Sequence, residues 1–184
     1  MHSRGCATGN VLIWHIRFYM KYSQFMNSEL NDIIDDAKRE LNRIKDWISE
    51  NSFDNKVLYL NSYAVIKASG TIELVMKTMI FNRMTENASQ ENINYITRMI
   101  LDSSFNPTTG KIENLLQDLN SDWKLKFHNY VKDNFQKKSD LNSLIGQRNT
   151  FSHGSRINMS IDAIINDFNS GTEILEELFK IINS

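Results

Sequence analysis

The sequence predicts an all-α protein built as a single antiparallel bundle of five or six helices. Three observations predict this fold class. Apolar residues recur at spacings of three and four along most of the 184 residues. The chain holds 1 Pro and 7 Gly, so few of its residues break helices. No segment alternates apolar and polar residues as a β-strand does, and the length suits one domain with its own core.

Two long helices are predicted in the first half of the chain. The first begins at Ser28, a suitable N-cap, and its apolar residues from Leu30 to Ile48 lie on one face. The second covers about 54–84, and apolar residues surround it, which predicts a central helix that is buried on most sides. Residues 1–25 are interpreted as an uncertain N-terminal extension before a domain at 26–184. A short packed helix, a disordered segment, a signal peptide and an upstream mis-start are the alternatives for them.

Shorter helices and loops are predicted in the second half, with caps at several of their ends. In chain order they are a helix capped by Ser89, a proline loop at 103–110, helices at 111–120 and 122–135, a connector at Gln136–Lys138, a helix from Ser139 or Asp140 to His153 with Gly154 as its left-handed cap, and a last helix at 160–182 that Gly171 interrupts and can bend.

The composition excludes several classes of site. The single cysteine, Cys6, cannot form an internal disulfide or a thiolate cluster, which favours a reducing, cytoplasmic location. No two of the four histidines lie at a metal-ligand spacing, so no metal is expected. Phosphate-binding, dinucleotide-binding and serine-hydrolase motifs are absent, so no cofactor is expected. No apolar stretch is long enough to span a membrane.

A local basic segment lies within a chain whose net charge is only −1. Residues 111–156 hold 8 basic and 5 acidic residues, a net charge of +3, and their lysines alternate with aromatic residues. Such a segment can hold RNA through its backbone phosphates and through base stacking, or it can be a solvated helix face whose aromatic residues pack in the core. The candidate RNA-binding residues are Lys124, Lys126, Lys132, Lys137 and Lys138.

Arg148 is the most unusual residue of the pattern. On a helical wheel it falls between Leu144 and Ile145, on the face that apolar residues mark as inward. A buried guanidinium needs a carboxylate, a phosphate or a wet cleft beside it. An ion pair with a glutamate and a histidine cap is one interpretation. The other is phosphodiester chemistry, with Arg148 stabilising charge and His153 moving protons, if the chain turns outward at Gly154.

Two motifs resemble those of a known family. The run Arg148-Asn149-Thr-Phe-Ser-His153 resembles the Arg-x4-His signature of the HEPN superfamily of small all-α domains. The earlier Ser69-Gly70-x-x-Glu73 is similar to a helix of its RiboL-PSP branch. Together the matches span residues 28–184, with the helices in the expected order, and residues 1–25 match poorly.

The resemblance implies a metal-independent endoribonuclease of the toxin–antitoxin or phage-defence kind. Its substrate would be RNA, such as tRNA, and attack by the 2′-hydroxyl would leave a 2′,3′-cyclic phosphate. It also implies a homodimer with a composite cleft and an antitoxin or defence partner. The roles that follow are phosphate binding by Arg148, proton transfer by His153, positioning by Asn149, and support from Glu73, Lys77, Ser69 and Ser152.

Two alternatives stay open. A catalytically inactive HEPN domain would bind a nucleotide, RNA or a partner protein, and a plain helical interaction module would match the motifs by chance. Glu73 can orient Arg148 or His153, or it can simply pair with Lys77 one turn later.

Overall fold

The structure is a computed structural model that describes the backbone of residues 9–184 and the side chains of residues 28–184. The expectations for residues 1–8, and for the side chains of residues 9–27, lie outside the described residues. The division at residue 26 between an extension and a domain stays a prediction.

Helices make up almost all of the described chain, and no strand occurs among residues 9–184, so the predicted all-α class is confirmed. Seven α-helices are present in this part, more than the five or six expected, and a π-helical turn at Thr97–Leu101 follows the third. The helices are α1 (Gly9–Glu50), α2 (Lys56–Thr85), α3 (Gln90–Ile96), α4 (Thr109–Leu119), α5 (Ser121–Asp133), α6 (Phe135–Ser152) and α7 (Ile161–Ile182).

Two predicted boundaries were wrong. Ser28 is not an N-cap, because α1 already begins at Gly9 and continues through it. The segment Gln136–Lys138 is not a connector, because it lies in the first turn of α6. The chain breaks instead at Asn134, where a φ of −114° and a ψ of 53° end α5. A single asparagine thus separates the two helices, where a three-residue connector was predicted.

The centre of the bundle is formed by α2 and α7. Helix α2 contacts α1, α6 and α7, while α7 contacts α1, α2, α5 and α6. At Gly171 the two central helices approach closely, because a Cβ there would lie 2.9 Å from the Ile72 side chain. Helix α7 is unbroken at this glycine. The largest fully buried side chains include Leu41, Ile72, Met76, Ile80, Ile112, Leu116, Phe127, Leu141, Leu144, Ile145, Ile164 and Phe168.

One face of α2 is not buried, although its apolar residues predict burial on most sides. Exposed apolar side chains follow this outer face at helical spacing, including Tyr59, Tyr63, Ile66 and Leu74. This face is therefore largely exposed among the side chains of residues 28–184, although the Tyr63 hydroxyl donates to Glu40 of α1. None of the helices in the described part is both long and apolar enough to cross a membrane.

Candidate active site between helices α2 and α6

Arg148 meets a carboxylate, as its inward position predicts. Its Nη1 lies 2.6 Å from Oε2 of Glu73 on the central helix, and it keeps 25% of its side-chain surface exposed, against 13% for Glu73. Helix α6 delivers Arg148 because Leu144 and Ile145 are fully buried and hold that face of the helix against the bundle. The ion pair lies at the edge of the core, where one side of the guanidinium still reaches solvent.

Lys77 binds the same carboxylate one turn along α2. Its Nζ lies 2.9 Å from the other oxygen of Glu73, so Glu73 bridges two cations, and neither of the two proposed pairings excludes the other. The Lys77 ammonium also donates to the carbonyl oxygens of Ser103 and, at 3.4 Å, of Leu101. The backbone N–H of Phe105 donates to Glu73 at 3.1 Å. The loop after the π-helical turn is therefore fastened to the ion-pair network.

The charge state of Glu73 follows from these contacts. Burial raises the pKa of its carboxyl, but hydrogen bonds from Lys77, Arg148 and the N–H of Phe105 outweigh burial, so the pKa is lowered from its ordinary value of 4.5. Glu73 is therefore ionised at neutral pH. Two cations and one carboxylate leave this network with a net positive charge, which favours an anion at the exposed side of Arg148.

The end of α6 is fixed by a Schellman cap. Gly154 has a φ of +80°, its N–H donates to the carbonyl of Phe151 at 2.9 Å, and the N–H of Ser155 donates to that of Thr150 at 3.2 Å. The predicted left-handed glycine is thus confirmed. His153 is the capping residue itself, and its own N–H donates to the carbonyl of Asn149 at 3.2 Å.

His153 has a fixed backbone and a free side chain. Its side chain is exposed, and no hydrogen bond or ion pair joins its imidazole to another of the described residues. The helix continues to Ser152, so the wheel angle of about 140° between His153 and Arg148 is largely kept. The chain thus presents an anchored arginine and an exposed histidine at one helix end, without direct contact between them in the described part.

The other predicted site residues are distributed unevenly. Asn149 is half-buried beside Arg148, and its carbonyl anchors the end of the helix. Ser152 is exposed, and its hydroxyl donates to the carbonyl of Arg148 at 2.9 Å. Ser69 is fully buried, and its hydroxyl donates to the carbonyl of Val65 at 2.7 Å within α2. Asn149 and Ser152 therefore belong to the Arg148 turn, whereas Ser69 packs inside the bundle.

At least two of the predicted RNA-binding lysines lie away from Arg148. Lys137 and Lys138 are at the opposite end of α6, and a rise of 1.5 Å per residue puts Lys138 about 15 Å from Arg148 along the axis. Lys137 pairs with Glu173 at 2.7 Å and lies over the Tyr130 ring. Lys126 donates to Ser184 at 2.8 Å, at the C-terminal end of the chain. Lys124 and Lys132 are on α5.

The chemistry of this site would be that of an arginine and an imidazole. Among the described residues, no group of three or more His, Cys, Asp or Glu is arranged to hold a metal ion. Arg148 can bind a phosphate and stabilise charge that develops on it, and His153 can accept or donate a proton.

The comparison with known protein families identifies the chain. The sequence model of the RiboL-PSP-HEPN family matches residues 28–184. The chain belongs to this family. Membership in a HEPN family points to a nuclease or another RNA-related function and agrees with the all-helical fold. No curated protein and no solved structure gives a match.

Three contacts of this candidate site had no signal in the sequence. The carbonyls of Leu101 and Ser103 and the N–H of Phe105 belong to the backbone, and every residue type carries such groups.

Proposed function

We propose that the chain is a metal-independent endoribonuclease that cleaves RNA by attack of a 2′-hydroxyl on the adjacent phosphate. The bond between phosphorus and the 5′-oxygen breaks, leaving a 2′,3′-cyclic phosphate on one product and a 5′-hydroxyl on the other. One observation carries the proposal. Arg148 is anchored by Glu73 at the edge of the core with a quarter of its side chain exposed, and the exposed His153 follows five residues later at the end of the same helix.

Each residue has a defined part in this proposal. Arg148 binds the phosphate and stabilises the charge of the transition state. His153 moves the proton of the attacking hydroxyl or of the leaving oxygen. Asn149 positions the phosphate beside Arg148, and Glu73 holds the guanidinium in place. Lys77 fastens Glu73 to the loop at 101–105, so its contribution is indirect.

The test is cleavage of a mixed tRNA substrate by the purified protein in EDTA. We expect products with cyclic-phosphate ends and a loss of rate of at least about 100-fold in Arg148→Ala and in His153→Ala. Matched controls are Arg156→Ala, an exposed arginine just after the motif, and His128→Gln, whose imidazole pairs with Glu113. Equal cleavage by wild type and both site variants would refute the assignment.

A homodimer with a composite cleft is part of the proposal. Gly70 lies inside α2, and a Cβ there would have nothing within 4 Å, so no contact in the described chain requires a glycine. An interior glycine costs a helix about 1 kcal/mol relative to alanine, and a close approach by another molecule is a reason to keep it. Exposed Leu74, next to Glu73, offers apolar surface for a second copy.

Sedimentation of two glycine variants tests the dimer. Gly70→Leu should raise the dimer dissociation constant at least about tenfold through steric overlap. Gly146→Leu is the matched control, because Gly146 is also inside a helix with nothing near its missing Cβ. A wild-type protein that sediments as a monomer at micromolar concentration would refute the composite cleft.

The second candidate function is a HEPN domain that binds a nucleotide, RNA or a partner protein without cleaving RNA. A specific observation favours it: the Arg148 guanidinium is already paired with Glu73, and no described contact joins Arg148 to His153. A folded wild type that binds RNA but leaves every tested RNA intact would support this candidate. The toxin or phage-defence role, a cytoplasmic location and an antitoxin or defence partner belong to the first candidate, and growth arrest on expression tests that role.

A further inference from the structure

A second candidate site lies in a groove between α1 and α2, away from Arg148. The groove has a volume of about 790 Å³, within the usual range of about 300–1,000 Å³ for small-molecule sites. It is lined by Asp36, Arg39, Glu40, Arg43, Ile44, Trp47, Lys56, Leu60 and Lys67. We call it the α1–α2 groove.

The charges that line the α1–α2 groove are unequal, with four cations and two carboxylates. Most of them have partners within the chain. Lys67 pairs with Glu40 at 2.7 Å, and Arg39 pairs with Asp36. Hydrogen bonds from Lys67 and Tyr63 lower the pKa of Glu40, so it stays charged and committed to them. The groove therefore carries a net positive charge.

Arg43 supplies the main part of that net charge. Its side chain is exposed, and it forms no hydrogen bond or ion pair with another residue in the described part of the chain. Lys56 has only a long contact of 3.9 Å with Asp54 at the mouth of the groove. An anion in the groove would meet Arg43 without breaking a hydrogen bond or ion pair of that residue, and at Lys56 it would compete with the 3.9 Å contact to Asp54.

A flat apolar surface lies beside Arg43. Trp47 follows it by one helical turn, so both side chains project from the same face of α1. Trp47 is half-buried and shares the groove with Ile44 and Leu60. Indole rings stack with nucleobases, and a guanidinium binds the phosphate of the same nucleotide.

We propose that the α1–α2 groove binds one nucleotide unit of a single-stranded RNA, with its base on Trp47 and its phosphate on Arg43. This assignment rests on the proposed function, because the groove would hold another nucleotide of the same RNA that is cleaved at Arg148. Arg43 and Trp47 share the groove with Lys56 and Leu60, which lie about 26 and 20 Å before Glu73 along the axis of α2. The nucleotide in the groove would therefore be separated from the cleaved one by several others along the strand.

The test is binding of a fluorescent 2′-O-methyl RNA hexamer, which lacks the attacking hydroxyl and stays intact. Trp47→Ala removes the stacking platform and should weaken RNA binding about five- to a hundredfold. Arg43→Ala should weaken binding several-fold and reduce the slope of log K against log salt by about 0.7, the loss of one phosphate contact. Lys111→Ala, which removes an exposed cation on α4, should bind as wild type does.

Two further variants keep the test independent of folding and of cleavage. Trp47→Phe keeps an aromatic face and should retain most of the binding, even if Trp47→Ala unfolds. Groove variants that lose hexamer binding support the proposal even if wild type cleaves no RNA, in which case only the nuclease function fails. Unchanged hexamer binding in Arg43→Ala and in the double variant Trp47→Phe/Arg43→Ala would overturn the groove proposal while leaving the nuclease function intact.

A free mononucleotide is the other source of the same chemistry. The proposal expects adenosine monophosphate to bind far more weakly than the hexamer and to compete for it only at high concentration. Mononucleotide binding as tight as hexamer binding would overturn the RNA assignment in favour of a nucleotide site. Groove variants that alter sedimentation but not RNA binding would overturn it in favour of a protein contact.

Discussion

Replacement of Glu73 by alanine perturbs the network that holds Arg148. The substitution leaves Lys77 and Arg148, whose side chains are 11% and 25% exposed, without their shared carboxylate. Breaking a fully buried pair costs about 3–5 kcal/mol. Both cations keep some solvent and Lys77 keeps its carbonyl acceptors, so we expect a loss of about 2–3 kcal/mol, or about 4–12 °C in Tm for a chain of this size.

Urea denaturation of Glu73→Ala, Glu73→Gln and wild type measures this loss. Glutamine keeps an acceptor oxygen but no charge, and about half of the destabilisation should remain. Glu113→Ala is a matched control, because its partner His128 is half exposed and the pair should be worth less than about 1 kcal/mol. A Glu73→Ala protein within about 0.5 kcal/mol of wild type would refute the view that this carboxylate holds the site together.

The pH dependence gives the prediction a sign. The pKa of Glu73 is lowered on folding, so its contribution to stability is fully present above the ordinary pKa of 4.5 and is lost as the pH falls through the folded value. The difference between wild type and Glu73→Ala should therefore be largest near neutral pH and shrink in acid. A difference that grows in acid would contradict the assignment of Glu73 as the ionised partner.

The remaining predictions concern one helix cap, two glycines inside helices and one buried acid. Gly154→Ala should lower the free energy of unfolding by about 1 kcal/mol because φ is +80°. Gly146→Ala, at an open position inside a helix, should raise it by about 0.5–1 kcal/mol, and thermal melts measure both changes. Gly171→Ala should cost about 1 kcal/mol, because its Cβ would lie 2.9 Å from Ile72, and a gain instead would mean that Ile72 moves freely. Burial raises the pKa of Asp167, so its ionisation opposes folding as the pH rises from 3.8 through the folded value. Asp167→Asn should raise Tm at pH 7, and equal Tm differences at pH 7 and pH 3 would contradict this.

Local chemistry made part of this fold predictable from sequence. Ser89 and Ser160 begin helices, as their hydroxyls accept from backbone N–H groups three residues later, and Gly154 ends one. Arg148 was predictable as an inward cation with a partner, because apolar neighbours on a wheel fix its direction. These features depend on residues that are close together in the chain.

The rest depends on how distant helices align. The α1–α2 groove brings Arg43 and Trp47 opposite Lys56, and no periodicity within one helix indicates which residues of another will face it. The break at Asn134 was predicted at Gln136–Lys138, slightly too late, because these residues look like a connector although they form a good helix turn. The same limit applies to the outer face of α2, which looks like core in composition and is exposed in the bundle.

The loop at 101–105 contacts the candidate site through main-chain atoms alone. Glu73 and Lys77 contact an N–H and two carbonyls there, and none of these described contacts involves a loop side chain. The residue types of this loop could therefore vary freely in related chains, provided that the number of residues in the loop stays constant. A residue inserted between Ser103 and Phe105 would displace the Phe105 N–H from Glu73, even though every residue of both motifs stayed in place.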